Sequence, residues 1–254
     1  MDMQIQEADK LQRVVAQLIA TGPAGVKLLL IGGFRYRLLD NSQRFSVDID
    51  YHWEGDIHQK QEELQSYCKR VVLREVKRLF GYEGSASKRT GPDADSPNAA
   101  FIDLRFWKTG RVIEILIEIT KIICLDPPTI RTADGTVYPT PSDADLIEGK
   151  ILAVLNRLYL QSRDFVDICL YGDRLRPDSP ERIKQKINAL GINPEAIRKR
   201  LQDLDQHAPH HASAIQKVID TQVAPTVAQQ LNDGGGGQTI LAQSLNYIKR
   251  VCPL

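Results

Sequence analysis

The sequence predicts an α+β protein in two parts: a small mixed sheet with helices, then a region of helices alone. Three observations predict this. Strand-length runs, apolar or alternating, are confined to the first 120 residues. Past the Pro/Thr-rich stretch VYPTPSD, residues 137–143, only helical periodicity continues. The composition is that of a globular chain, 254 residues with 42% hydrophobic and 26% charged. Those values exclude a disordered or collagen-like protein. The change of character puts a domain boundary near residue 140, giving units 1–140 and 141–254.

An amphipathic first helix over about 6–20 ends at Thr21-Gly22-Pro23-Ala24-Gly25, a cluster of helix breakers. Val26–Ile31, apolar but for Lys27, is of strand length, and Gly32-Gly33 opens a short helix to about Leu39. Ser46–Tyr51 alternates, with Val47, Ile49 and Tyr51 set against Ser46, Asp48 and Asp50, as a half-buried strand does. Residues 58–80 read as one long amphipathic helix with Leu64, Cys68, Val72 and Val76 on its apolar face. Ala99–Trp107 and Arg111–Thr120 form a hairpin over Lys108-Thr109-Gly110. Helices follow over about 143–160, 162–173, 180–190, 193–203, 211–231 and 239–250. The first opens on Ser142 and Asp145, a capping-box-like start, and its core stripe is Ile147, Ile151, Val154, Leu155 and Leu158. Asn232-Asp233 and the glycines 234–237 predict a flexible joint before the last helix.

Charge is balanced, 33 basic residues against 32 acidic, so the chain as a whole lacks a nucleic-acid footprint. Residues 68–80, with five basic and one acidic, and 181–200, with six and two, are local exceptions. Taken alone, each run reads first as a solvated helix face. No apolar run approaches the ~20 residues of a membrane span, and the acid-bearing MDMQIQEADK is no secretory signal. Four scattered cysteines without a CxxC argue against zinc and disulfide frameworks and for a reducing cytoplasm. His207, His210 and His211 in QHAPHH read as a loop rather than a metal site.

The chemistry concentrates in residues 26–51, VKLLLIGGFRYRLLDNSQRFSVDIDY. A Gly-Gly pair at a strand-to-helix turn lets backbone N–H groups approach a phosphate, and the helix N-terminus adds a favourable dipole. Asp48 and Asp50 point to the same side of their strand. Paired carboxylates repel unless they share a cation, and oxygen-only ligands suit Mg²⁺ or Mn²⁺. Either feature alone is common structural chemistry. In this order, with fourteen residues between Gly33 and Asp48, they are far more specific. A third acid belongs on a neighbouring strand. In RVIEILIEIT the isoleucines face one way and Glu114 and Glu118 the other. Spacing leaves Glu114, Glu118 and Asp103 of the paired strand all open.

Gly-Gly followed by Asp-x-Asp resembles the DNA polymerase beta-like nucleotidyltransferase superfamily. More closely, IGG…RFSVDID is similar to the AbiE-type toxin nucleotidyltransferases, the AbiEii/AbiGii toxin family. Arg44, Phe45, Ser46, Asp48, Ile49 and Asp50 match that pattern position for position. Ile117-Glu118-Ile119-Thr120-Lys121 resembles the third-acid strand and favours Glu118. LIEGKILAVLNR and SRDFVDICL look like the family's Lys-bearing and Arg-Asp-x-x-Asp helices. The likeness spans roughly residues 26–172. Phe34 departs from it, standing where many relatives place Thr or Ser.

The resemblance implies a nucleotidyltransferase domain followed by a helical domain that completes the active-site cleft. It implies that Asp48, Asp50 and Glu118 hold Mg²⁺ or Mn²⁺ and, with Lys150 and Asp167, carry catalysis. Gly32, Gly33, Arg44, Ser46, Lys150 and Asp164 would bind the nucleotide. The expected reaction moves an NMP from an NTP to an acceptor hydroxyl, RNA or tRNA foremost. The expected biology is the toxin of a toxin–antitoxin or abortive-infection pair with a cognate antitoxin. Two alternatives stand beside it: a small-molecule or protein acceptor, and a degenerate nucleotide-binding module, for which Phe34 is the sequence support. For Lys150, Arg157, Asp164 and Asp167, an interhelix salt-bridge network is the plain structural reading.

Overall fold

A computed structural model describes residues 3–89 and 98–252. It divides into two compact units. Residues up to Ile122 together with Pro128–Pro141 form the first; Ile123–Pro127 together with Ser142 onward form the second.

The first unit holds α1 (Met3–Thr21), β1 (Leu29–Ile31), α2 (Gly32–Leu39), β2 (Asp48–His52), α3 (Ile57–Tyr67), α4 (Leu73–Phe80), β3 (Glu83–Lys88), β4 (Ala99–Lys108) and β5 (Arg111–Thr120). The sheet order is β1-β2-β5-β4-β3, with β2 and β5 parallel and every other pair antiparallel. A separate hairpin joins β6 (Thr129–Ala133) to β7 (Thr136–Thr140). Alternation divides the sheet's side chains. Ile49, Ile102, Leu104, Phe106, Ile113, Ile115, Ile117 and Ile119 are buried in one core with Leu11, Val15, Leu64, Cys68 and Val72 of the helices. Asp48, Asp50, Asp103, Arg105, Glu114 and Glu118 therefore take the opposite face.

Several expectations change. The first strand begins at Leu29 rather than Val26, because Lys27 adopts a left-handed φ of 64° and Val26 is exposed. The 58–80 helix contains a π turn at Cys68–Val72 between α3 and α4. Leu64, Cys68, Val72 and Val76 are four apart, and three such steps drift about 120° around a regular α-helix. The wider π turn takes back part of that drift, so all four stay buried. Burial pushes the Cys68 thiol up to about 12, as expected of an inert core residue. Strands β3, β6 and β7 were not expected from the sequence. The first is a Gly/Ser-rich edge strand, mostly exposed, without an apolar alternation to mark it. The hairpin did carry a signal, since Asp134-Gly135 both take positive φ in its turn.

The second unit contains α5 (Asp143–Asn156), α6 (Ser162–Tyr171), α7 (Ser179–Leu190), α8 (Pro194–Gln206), α9 (Ala208–Gln222), α10 (Pro225–Asp233) and α11 (Gly236–Val251). Helix α5 stops at Asn156, and Arg157 is extended, so Leu158 leaves the core stripe and is 80% exposed. The expected 211–231 helix breaks before Pro225, whose ring holds Ala224 extended. QHAPHH is not a loop: His210 and His211 lie in the first turn of α9. Nor is the glycine run a loose joint. A Cβ on Gly237 would lie 2.1 Å from the Ala212 carbonyl oxygen, so glycine lets α11 press against α9.

Buried charge ties this unit together. Ser142 caps α5 and donates to Asp126 at 2.7 Å. Arg182 bridges Asp126, Asp145 and Glu148, and Lys186 bridges Asp145 and Glu148 at 2.7 and 2.8 Å. The Leu125 and Asp126 N–H groups donate to Asp145. Asp145, Glu148 and Lys186 are fully buried. Among the described residues no helix is long and apolar enough to cross a membrane.

The network sets the acid response. The Ser142 hydroxyl and the Arg182 guanidinium hold the Asp126 carboxyl below its ordinary value. Burial opposes ionisation of Asp145, but Lys186 and two backbone N–H groups outweigh it and hold that carboxyl low as well. A carboxyl depressed in the native state stabilises above its unfolded pKa, about 3.9, and loses that contribution as pH falls through its native value. Helical ellipticity followed against pH is therefore expected to fall only below about pH 4. Ser142→Ala, which removes the cap and the Asp126 bond, should move that loss to higher pH and cost about 1 kcal/mol at neutral pH.

Candidate active site

Strand β1 delivers the chain directly into α2, whose first two residues are Gly32 and Gly33. Gly32 takes φ 75°, and a Cβ there would lie 1.7 Å from Oδ2 of Asp50, so no other residue fits. The register explains the proximity, because Ile31 pairs with Asp50. A Cβ on Gly33 would meet Arg44 Nη2 at 2.3 Å and Ser46 Oγ at 3.1 Å. Arg44 is 2% exposed and donates through Nη1 to the Phe45 carbonyl at 3.0 Å. Ser46 Oγ donates to the Asp48 carbonyl at 3.4 Å. Arg44 and Ser46 are thus packed against the glycine turn and set its shape.

The N-cap position of α2 is Ile31, whose side chain offers no cap hydrogen bond. The first N–H groups of α2 have no intrahelical acceptor, and the helix dipole favours an anion there. Phe34 is fully buried in the core. Its ring belongs to the packing of α2, and the first turn of the helix presents backbone donors.

Asp48 and Asp50 are half-buried on one face of β2. Across the parallel pair, Asp50 stands in register with Glu118 and Asp48 with Leu116. The other two acids on this face are occupied differently. Asp103 accepts from Arg89 at 2.6 and 3.2 Å, and Glu114 lies 3.6 Å from Arg105. Among the described residues no three His, Cys, Asp or Glu side chains converge on one point. The Asp48/Asp50 pair nevertheless suits a hard divalent cation, which takes one or two carboxylates and completes its shell with substrate phosphate and water. An open groove of about 760 Å³ adjoins Asp48, lined by Ser85, Ser87, Arg89, Asp103, Arg105 and Glu114.

In the second unit Lys150 Nζ lies 2.7 Å from Asp164 and 3.1 Å from Asp167, both buried. Arg157 adds a contact to Asp164 at 2.7 Å. The four residues that the sequence grouped are brought together, and they form the interhelix salt-bridge network.

Residues 13–233 match the family described as "Nucleotidyl transferase AbiEii toxin, Type IV TA system". The chain belongs to the AbiEii family. It is accordingly a nucleotidyltransferase toxin of a type IV toxin–antitoxin system, with an NTP as substrate. Among curated proteins no sequence matches it. Solved structures share its fold. A crystal structure titled as that of a putative nucleotidyltransferase from H. pylori superposes with a TM-score of 0.57 at 15% identity, covering 99% of this chain and 96% of that one. JHP933 from Helicobacter pylori gives 0.55 at 14% identity, covering 99% and 93%. The nucleotidyltransferase toxin MenT4 from Mycobacterium tuberculosis gives 0.51 at 14% identity, covering 96% and 87%.

Within the AbiEii frame, the sequence missed Ser85, Ser87 and Arg89, which reach the groove from the unexpected strand β3 and the residue after it. The basic run 68–80 lies on α4 and the preceding turn, which pack on the isoleucine face, away from the acids.

The packing of Arg44 on Gly33 is testable. Gly33→Ala is expected to destabilise by about 1–3 kcal/mol through overpacking. Combined with Arg44→Ala, which removes the obstructing guanidinium, it should cost less than the sum of the single changes in a thermal-unfolding cycle.

Proposed function

We propose that this AbiEii enzyme transfers an NMP from an NTP to a hydroxyl of an RNA acceptor, with tRNA among the candidates. One observation carries the proposal: the glycine-opened N-terminus of α2 abuts Asp50, on the strand face that also bears Asp48. The triphosphate would approach the α2 N–H groups, where Gly32 and Gly33 leave room for it. Asp48 and Asp50 would hold Mg²⁺ or Mn²⁺, with Glu118 in register beside Asp50. The bound ion would screen triphosphate charge and make the acceptor hydroxyl more acidic. Glu118 would take the proton as the acceptor oxygen attacks the α-phosphorus in line. The bond to the β-phosphate oxygen breaks and pyrophosphate leaves with that electron pair.

Arg44 and Ser46 contribute to nucleotide binding by shaping the turn that carries Gly33. Lys150, oriented by Asp164 and Asp167, is the proposed cation of the second unit for nucleotide phosphate, and Asp167 acts catalytically through it. A small-molecule or protein acceptor is the second reading, and the acids Asp103 and Glu114 in the groove favour it. The degenerate-module reading rests on the missing hydroxyl at Phe34, whose ring is buried in the core; backbone N–H groups would then meet the phosphate alone.

The test is label transfer from each α-labelled NTP to total RNA in the presence of Mg²⁺. Label on RNA that falls at least about a hundredfold with Asp48→Asn or Asp50→Asn, while circular dichroism is unchanged, is the expected result. Label on protein or a small molecule alone would replace the RNA reading with the second one. Full transfer by both variants would overturn the assignment of the pair.

A further inference from the structure

The two edges of the first unit's sheet are finished differently. At one edge β1 is three residues long, and the β6–β7 hairpin closes it: the Thr140 hydroxyl donates to the Leu30 carbonyl at 2.8 Å. At the other edge β3 is six residues long. The Arg89 N–H donates to the Phe101 carbonyl at 3.0 Å, one step past the Lys88–Ile102 pair. In an antiparallel ladder that bond fixes the alternation. Glu83, Ser85, Ser87 and Arg89 turn their backbone groups towards β4, and Gly84, Ala86 and Lys88 turn theirs away from the sheet. The Gln65 side-chain amide donates to the Ala86 carbonyl at 3.3 Å from this outer side, as the alternation requires.

Proteins commonly guard such an edge with proline, a bulge or an inward-pointing charge. Between its ends β3 carries none of these. Its register against β4 is unbroken, and its middle is Gly84-Ser85-Ala86-Ser87, small enough for a second backbone to come within strand spacing. The Gln65 bond is long and held by a flexible chain, so a backbone N–H can replace it.

A second strand of the same sequence fits this edge in one register above the others. A two-fold axis normal to the sheet preserves its faces, so odd-numbered residues meet odd-numbered ones. Centred on Ala86, the axis sets Gly84 against the partner's Lys88 and Ala86 against the partner's Ala86. Every outward backbone group from 84 to 88 is then used, about six hydrogen bonds in all. On the polar face Ser85 meets the partner's Ser87, and Glu83 meets the partner's Arg89. Opposite charges facing one another across strands stabilise the pair. Centring on Ser85 would set Glu83 against the partner's Ser87 and shorten the ladder to about four bonds.

We propose that two copies of this chain join through β3 into one ten-stranded sheet, each Glu83 lying against the partner's Arg89. Ser85, Ser87 and Arg89 line the groove beside Asp48, so the partner's Glu83 stands at the rim of that groove. Arg89 holds Asp103 at 2.6 Å, and a guanidinium has donors enough for two carboxylates. Glu83 and Lys77 are a solvent-exposed pair 2.6 Å apart, and such a pair is exchanged at little cost. Dimerisation is independent of which acceptor the enzyme uses.

Sedimentation velocity of the full-length protein between about 1 and 200 µM tests this, because a single strand pair buries less than a standard interface and associates in the micromolar range. The mass should rise from 28.6 kDa towards twice that value. Ala86→Pro removes an outward N–H and no bond to β4, and should weaken association about tenfold or more. Glu83→Arg and Arg89→Glu should each weaken it roughly threefold or more. Combined in one chain they should restore it, because the facing charges are again opposite. Circular dichroism checks the fold of each variant, and if Ala86→Pro does not fold, the charge exchange decides. A protein that stays monomeric throughout, a dimer indifferent to a folded Ala86→Pro, or a double variant as weak as its parents would each overturn the proposal.

Discussion

In the first unit β2 lies between an antiparallel neighbour, β1, and a parallel one, β5, and its position governs the rest of the site. One pairing sets Ile31 opposite Asp50 and so brings the start of α2 against that carboxylate. The other sets Glu118 beside Asp50. A register slip of one residue on either side would send the acids into the isoleucine core. The apolar face therefore does more than stabilise. Burial of Ile49 and Ile113–Ile119 fixes which way Asp48, Asp50 and Glu118 point, and the site inherits its geometry from a hydrophobic constraint.

The second unit handles charge in the opposite manner. It encloses Asp145, Glu148 and Lys186 completely, at a desolvation cost that only multiple short contacts offset. Replacing such a network by apolar residues is often neutral or favourable, whereas removing one member is costly. The network is thus weak evidence of stability for its own sake. Its visible effect is to fix α7 against α5 and to retain Ile123–Pro127. Lys150 with Asp164 and Asp167 repeats the pattern on a smaller scale, with the lysine partly open to solvent.

Much of this was legible in the sequence, for reasons that differ by element. The hairpin of β4 and β5 and the strand bearing Asp48 and Asp50 announced themselves because one face of each is solidly apolar. The glycine turn was legible because two adjacent glycines between a strand and a helix have few other uses. Edge strand β3 was not, since a strand with one covered face and small polar residues lacks periodic contrast. Leu158 was misplaced because the apolar spacing of α5 runs past its last hydrogen-bonded turn, where Arg157 is already extended. Which of Glu114, Glu118 and Asp103 stands beside Asp50 is a matter of inter-strand register, which no spacing within one strand contains.

The chain passes between the two units three times, after Ile122, after Pro127 and again after Pro141. The five residues of the first excursion supply Asp126 and two backbone donors to the buried network of the second unit. No single peptide bond therefore separates one finished unit from the other. A fragment starting at Ser142 would keep Arg182, Lys186, Asp145 and Glu148 but lose Asp126 and the two backbone N–H groups that complete their network. During synthesis, a segment made early must wait for helices α5 and α7 to emerge before its charges are satisfied. The two units are consequently obligate companions in biogenesis, and a gene break at the apparent boundary would deliver one of them incomplete.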